Sequence, residues 1–328
     1  MTVARPLRIG TRGSLLARTQ TQWVADRLRA AGSDVEIEVV STRGDERHDL
    51  PVSRLGGDGV FVRELEQALL EGRIDAAVHS LKDLPTADTK GLVLGCVPVR
   101  ATAFDAFVGR TAGSLEALPH GAVVGTSSIR RIAQVRRLRP DLVVRPLRGN
   151  VDTRLRRLDA GDFDALIVAA AGLERLGLAG RITVVLEPPA FWPAVGQGAL
   201  AVQMRDHDAA AHAAAAPLED PGTRAAVTAE RRMLAGLAGG CLAPVGAWAR
   251  FEPGRCLILG GVVFDFDDDT RAVRSLEAED SSQAAPRPGQ ADELSRVAEA
   301  LALGDAVARQ LLALGADRVV ARARSAGE

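Results

Sequence analysis

The stretch "LAGGCLAPVG" (237–246) sets one cysteine, Cys241, behind two glycines and ahead of a stiffening proline, Pro244. A thiol on so bare a backbone is presented to reagents rather than packed, although no neighbouring histidine or lysine activates it in the manner of a thiol protease. A second candidate is "VHSLKDLP" (78–85), where Lys82 and Asp83 follow an apolar, strand-like run. Open α/β sheets bind ligands at the carboxyl ends of their strands. A carboxylate held there beside an ammonium stays charged and can orient N–H groups, stabilise a developing cation or move a proton; a plain surface ion pair has the same spacing. His79, on a strand face, reads as a core residue.

Two Gly-Thr turns, Gly10-Thr11 and Gly125-Thr126, each open a helix. The first N–H groups of a helix lack intrahelical partners, which suits an anion. Arg12 and Ser14 add side-chain donors at the first turn, and Thr126, Ser127 and Ser128 at the second. Ordinary N-capping would use the same residues, with Ser14 the N-cap candidate of the first helix. Between Arg130 and Arg157 lie ten arginines against two aspartates, Asp141 and Asp152. Arg136, Arg137 and Arg139 read as a solvated helix face. Arg130 and Arg131 fall in a first helical turn, where the macrodipole disfavours cations, so their placement points to an anion to be held. A guanidinium fork suits carboxylates and phosphates. Aromatic residues are 3% of the chain and do not interleave the cluster as base-stacking platforms. A small polycarboxylate or phosphate is the expected ligand, and nucleic acid is not.

The elements that must position these residues alternate. "LRIGTRGSLLARTQTQWVADRLRAA" reads as strand, glycine turn and helix, "VEIEVV" (35–40) as a strand, "FVRELEQALLEG" (61–72) as an amphipathic helix ended by Gly72, and "DAAVHSL" (75–81) as a buried strand. Alternating β and α implies mainly parallel sheets. The pattern then repeats: "AVVGTSSIRRIAQV" (122–135) answers "LRIGTRGSLLARTQ", pairing Gly10 with Gly125, and "LDAGDFDALIV" (158–168) answers "LLEGRIDAAV" (69–78), pairing Gly72 with Gly161 and Asp75 with Asp164. Two related α/β domains follow, residues 1–98 plus about 199–217 and residues 104–193, with a smaller α+β domain over 221–328 that carries the cysteine loop. Within the last, "CLILGGVVFDF" (256–266) has strand character, 281–293 reads as a loop, 265–296 as an acidic, loop-rich elaboration, and "LGDAVARQLLALGA" as the closing helix.

Composition bounds the rest. The 328 residues carry a formal net charge of −1, 47% hydrophobic residues and three cysteines. No apolar run approaches the roughly 18 residues that cross a bilayer, and the N-terminus enters a strand pattern without a signal-peptide core. A soluble, cytoplasmic enzyme without membrane attachment is expected. Five scattered histidines, and Cys96, Cys241 and Cys256 without ligand-like spacing, predict no metal site. Cys96 and Cys256 read as packing residues.

Taken in order, "TRGSLLA", "GVFVRELE", "AVHSLKDLP", "VGTSSIRR", "LRGNVDTRL", "AVGQGAL" and "GGCLAPVG" make the chain resemble the porphobilinogen deaminase (hydroxymethylbilane synthase) family over about residues 7–250. The resemblance implies two periplasmic-binding-protein-like α/β domains and a small third domain. It implies a transferase that joins four porphobilinogens head to tail with loss of ammonia and releases hydroxymethylbilane for tetrapyrrole, and so haem, biosynthesis. It implies a dipyrromethane cofactor attached through a thioether to Cys241, with Asp83 as the catalytic carboxylate. Lys82, Asp83, Phe61, Thr126, Ser127, Ser128, Arg130 and Arg131 would hold the cofactor; Arg12, Ser14, Arg148, Arg154 and Arg175 would bind substrate carboxylates or the incoming ring. A monomer is implied as well.

Three departures stand out: Asp58 where bacterial members usually have lysine, Ala238 where a glutamate usually precedes the Gly-Gly-Cys, and the 265–296 segment. The first bears on lid behaviour and none removes a residue assigned to chemistry. A cytoplasmic clamshell that binds an anionic solute without catalysis is the alternative, but it would need neither Cys241 nor a third domain.

Overall fold

The computed structural model describes residues 5–41, 62–238, 243–252, 256–266, 273–282 and 293–325. Asp58, Phe61 and Cys241 lie outside the described residues. The chain divides into two units, residues 1–101 with 199–224 and residues 102–198 with 225–328.

The first unit begins with β1 (Leu7–Thr11), α1 (Leu15–Ala30), β2 (Val35–Val39), α2 (Arg63–Leu70), β3 (Ala76–Ser80) and β4 (Leu92–Cys96). The chain then builds a second sheet from β5 (Asp105–Gly109), β6 (Val123–Gly125), α3 (Ile129–Leu138), β7 (Val143–Arg145), α4 (Val151–Asp159), β8 (Ala165–Ala169), α5 (Ala170–Arg175) and β9 (Val184–Leu186). It returns to the first sheet as β10 (Leu200–Arg205), followed by α6 (Ala209–Ala215). The remainder is α7 (Pro221–Gly236), β11 (Val245–Phe251), β12 (Leu257–Phe266), β13 (Val273–Ser281), α8 (Glu293–Ala313) and α9 (Ala316–Ser325).

Both large sheets are five-stranded and share one plan, β2-β1-β3-β10-β4 and β7-β6-β8-β5-β9. In each, the first three strands are parallel and the fourth runs antiparallel to both of its neighbours. The α/β class read from the sequence is therefore observed. The internal repeat extends to single hydrogen bonds. Arg8, at the start of β1, donates its backbone N–H to the Asp75 carboxylate at 3.0 Å, and Val123, at the start of β6, does the same to Asp164 at 2.8 Å. Gly72 and Gly161 both take the left-handed conformation, φ +70° and +86°, that lets the chain leave a helix for the next strand. At the two strand-to-helix turns a side chain is excluded by packing: a Cβ on Gly10 would lie 2.3 Å from Ile74, and one on Gly125 2.7 Å from Leu166.

Helices cover both faces of the first sheet, so its central strands are apolar on both sides. Ile9, Val24, Leu28, Val78 and Val202 form one core layer, and Leu65, Leu69, Ile74 and Ala77 the other. The helix α1 buries Val24, Ala25 and Leu28, whereas Leu15 is exposed. In the third part, Met233, Leu259, Val263, Val307 and Leu311 fill one side of an antiparallel sheet, and Trp192, Val262 and Phe264 meet Ala133 of α3 on the other. A Cβ on Gly260 would lie 2.5 Å from the Trp192 ring, so glycine makes that contact possible.

Two expectations are corrected. The stretch 273–281 is not loop but strand, paired with β12 along its length. Its acidic residues hid the alternation; Glu277 meets Arg137 at 3.4 Å and Glu279 meets Arg250 at 3.0 Å. Nor are Arg137 and Arg139 a solvated face. Arg139 clasps Asp141 at 2.6 Å and the carbonyls of Leu115, Glu116 and Leu118, while Arg137 lies over the Phe264 ring.

Candidate functional site

At the carboxyl edge of the first sheet, neighbouring parallel strands β1 and β3 end side by side. Arg12 follows β1, and Ser14 caps α1, its hydroxyl accepting from the N–H of Ala17 at 3.3 Å. Lys82 and Asp83 form a single 3-10 turn, Leu81–Asp83, directly after β3. Backbone bonds fix that turn, Leu81 N–H to the Ala199 carbonyl at 3.0 Å and Leu84 N–H to the Leu81 carbonyl at 3.1 Å. Both Lys82 and Asp83 are half-buried. The repeat is broken here. The offset that pairs Asp75 with Asp164 sets Gly172 opposite Asp83, so the second copy has no such carboxylate.

His79 is buried two residues before this turn, and burial pushes its pKa down to about 4, with the positive charge of Arg12 acting in the same sense against Gln203. The imidazole is neutral at pH 7. Because the folded value lies below the ordinary 6.5, the unfolded chain binds the extra proton first. Stability is then expected to fall as the pH drops from about 6.5 towards 4, and His79→Gln to remove that part of the slope in denaturant titrations run across this range.

The carboxyl edge of the second sheet carries the other candidates. Thr126, Ser127 and Ser128 follow β6. The Thr126 hydroxyl accepts from the Ser128 N–H at 3.3 Å, and the Ser127 hydroxyl bridges the Leu147 carbonyl and N–H, both at 3.0 Å. That bridge ties the β6 turn to the segment bearing Arg148, which follows β7. Arg154, on α4, donates its Nε to the Gly149 carbonyl at 2.8 Å. Arg175, at the end of α5, donates to the Gly198 carbonyl at 2.7 Å, and burial lowers its pKa to about 10 against the opposing pull of Glu174. It remains a cation at neutral pH.

Arg130 and Arg131 are 4% and 7% exposed, and the anion they meet is Asp105. This carboxylate opens β5 opposite Ala169 and so stands at the same edge. Arg130 reaches one oxygen at 2.6 Å and also the Trp192 carbonyl; Arg131 forks onto the other at 3.0 and 2.6 Å. Burial alone would raise the Asp105 carboxyl, but the two guanidiniums outweigh it and hold it well below the usual range. Gln197 completes the cluster, donating to Asp105 at 3.0 Å and to the Ala103 carbonyl at 2.9 Å. Asp105 and Gln197 were not singled out in the sequence, although a carboxylate at the head of the apolar run "DAFV" is a signal of a buried partner. Among the described residues, no group of three or more acidic, histidine or cysteine side chains could hold a metal ion, and no helix is long and apolar enough to cross a membrane.

The family model described as "Porphobilinogen deaminase, dipyromethane cofactor binding domain" matches residues 7–213, and "Porphobilinogen deaminase, C-terminal domain" matches residues 224–313. The chain belongs to the porphobilinogen deaminase family. As a member it is an enzyme, a transferase. It is 46% identical to the porphobilinogen deaminase of Roseiflexus castenholzii over 96% of this chain and 98% of that one. With the porphobilinogen deaminase of Desulforudis audaxviator the identity is 47%, over 98% and 99% of the two chains. The solved methionine binding protein MetQ aligns at 14% identity with a TM-score of 0.42, over 65% of this chain and 89% of that one, a likeness too slight to bear on the site.

Proposed function

We propose that this enzyme joins four porphobilinogens head to tail, releasing ammonia at each step and hydroxymethylbilane at the end, with Asp83 as its catalytic carboxylate. The observation that carries the reading is the edge that gathers Arg12, Ser14, Lys82 and Asp83: cations and a hydroxyl to seat the acid side chains of a pyrrole, and one carboxylate to face its N–H. Asp83 accepts from the pyrrole N–H, stabilises the cation that develops as ammonia leaves the aminomethyl carbon, and takes up the proton lost when the new bond forms. Positioned acid–base groups of this kind contribute roughly 10²–10⁴ in rate.

The cofactor proposed is dipyrromethane, bound through Cys241. When bound, it supplies the pyrrole carbon from which the chain is extended. Each pyrrole carries an acetate and a propionate, so a holder must be rich in cations and hydroxyl donors. The second sheet's edge offers that set in Thr126, Ser127, Ser128, Arg130 and Arg131, with Arg148, Arg154 and Arg175 beside them, and the donor chemistry fits. Lys82 and Asp83 complete the cofactor's contacts, as does Phe61, which lies outside the described residues. Arg12, Ser14, Arg148, Arg154 and Arg175 take the incoming substrate.

Three folding parts, 1–98 with about 199–217, 104–193 and 221–328, belong to this reading, as does a monomer working in the cytoplasm on a small molecule. Nucleic acid is disfavoured because Arg130, Arg131, Arg137 and Arg139 are engaged with the protein's own groups rather than set out as a basic stripe. Incubation with porphobilinogen should release four equivalents of ammonia per hydroxymethylbilane, followed by ammonia assay and trapping of the product. Binding of porphobilinogen without ammonia release would favour the non-catalytic clamshell instead.

A further inference from the structure

Asp105, Arg130 and Arg131 bring two positive charges and one negative into a space almost closed to water. The fourth member, Gln197, is wholly buried and uncharged. Its amide NH₂ is spent on Asp105 and the Ala103 carbonyl, and its oxygen faces Arg131 at 3.4 Å. Counted over these four side chains, the cluster keeps an excess of one positive charge, and a buried charge is costly unless an opposite charge is paired with it. A glutamate would fit the same volume and pair with Arg131, yet would cancel that excess and face Asp105 with a like charge.

Gln197 is also anchored from behind. The preceding Gly196 N–H donates to the buried carboxylate of Glu230 at 2.7 Å, and the other oxygen of Glu230 accepts from Ala249 N–H at 2.9 Å. Glu230 lies on α7 and Ala249 on β11, the two elements that flank the Cys241 segment in the chain. The backbone at Gln197 is thus registered against both.

We propose that Gln197 is a positioning residue that keeps the Arg130–Arg131 pair one positive charge in excess, so that a pyrrole carboxylate rather than a protein carboxylate completes it. The proposal rests on the reading that this pair takes acid groups of the pyrrole chain. Gln197 itself touches neither cofactor nor substrate; it acts through Asp105 and Arg131.

The test compares Gln197→Glu with the swap Asp105→Asn/Gln197→Glu, which moves the carboxylate across the hydrogen bond and restores the original charge. For each purified protein, intact mass gives the fraction carrying covalent dipyrromethane, and steady-state kinetics with porphobilinogen give KM and kcat. Gln197→Glu should lower the loaded fraction and raise KM roughly tenfold or more, the scale of one charge-assisted hydrogen bond, with kcat of the loaded fraction less affected. The swap should bring loading and KM back to within about threefold of wild type. Two disruptions of a solely structural contact would instead accumulate. A swap variant impaired as much as or more than either single variant would overturn the proposal, as would unchanged loading and KM in Gln197→Glu. The swap is decisive even if Gln197→Glu alone fails to fold. Failure of the functional reading would look different, since wild type itself would then carry no adduct and release no ammonia.

Discussion

Asp83→Asn is expected to melt within a few degrees of wild type while turning over porphobilinogen roughly 10²–10⁴-fold more slowly. The asparagine keeps the shape of the side chain. The 3-10 turn that presents it is held by backbone bonds from Leu81 and Leu84, which the substitution leaves in place. What is lost is the negative charge that the proposed mechanism sets against the pyrrole N–H and the developing cation. Asp75 and Asp105 make the contrast. Asp75 receives Arg5, Arg8 and Arg205, and Asp105 receives Arg130 and Arg131, so their replacement by asparagine should be read as lost stability, because stripping one partner from a buried pair strands the other. Thermal melting and single-turnover ammonia release on the same samples separate the two behaviours. Turnover at the wild-type rate in Asp83→Asn would remove Asp83 from the chemistry.

Wild type is expected to carry the added mass of two porphobilinogen-derived pyrroles, and Cys241→Ser to lack it and to form no hydroxymethylbilane. Intact-mass measurement of the two proteins side by side reads the first effect, and product trapping the second. The expectation follows from the requirement placed on the thiol, which is to anchor rather than to attack repeatedly. A thiol that follows two glycines in the sequence suits anchoring, and an activating base is not needed once the thioether has formed. If wild type has the bare mass and porphobilinogen does not raise it, the primer is absent and an anion-binding clamshell becomes the better account.

Periodicity and glycine placement made most of the fold legible. The β1 turn at Gly10 and the β6 turn at Gly125 stood out because both need a residue without a side chain where Ile74 and Leu65, or Leu166 and Phe163, crowd the strand end. The repeat of Asp75 by Asp164 was visible too, since each carboxylate holds the N–H of an equivalent strand residue. The strand 273–281 was missed because three of its nine residues are acidic, and the pairing of Glu277 and Glu279 with distant arginines leaves no local trace. In the candidate site, Lys82 and Asp83 could be placed at a strand's carboxyl end because the apolar run stops at Leu81. The setting of Arg130 and Arg131 could not be read. Their buried counter-ion lies 25 and 26 residues earlier, and Gln197, some sixty-six residues later, is an amide that no charge pattern reveals. Long-range polar closure of this sort depends on which strands become neighbours, a property of topology rather than of local sequence.

The fourth strand of each large sheet has a consequence for synthesis. The second sheet has all its strands once Leu186 has been made, whereas the first lacks its antiparallel partner until Arg205. Since domains fold as units while the chain emerges from the ribosome, the half translated later can finish first. Until then β3 and β4 have no strand between them and present unpaired edges, the feature that invites misassociation. A nascent chain stalled between these two residues would hold a completed second sheet beside a first one still open, so the order of birth and the order of completion run opposite ways.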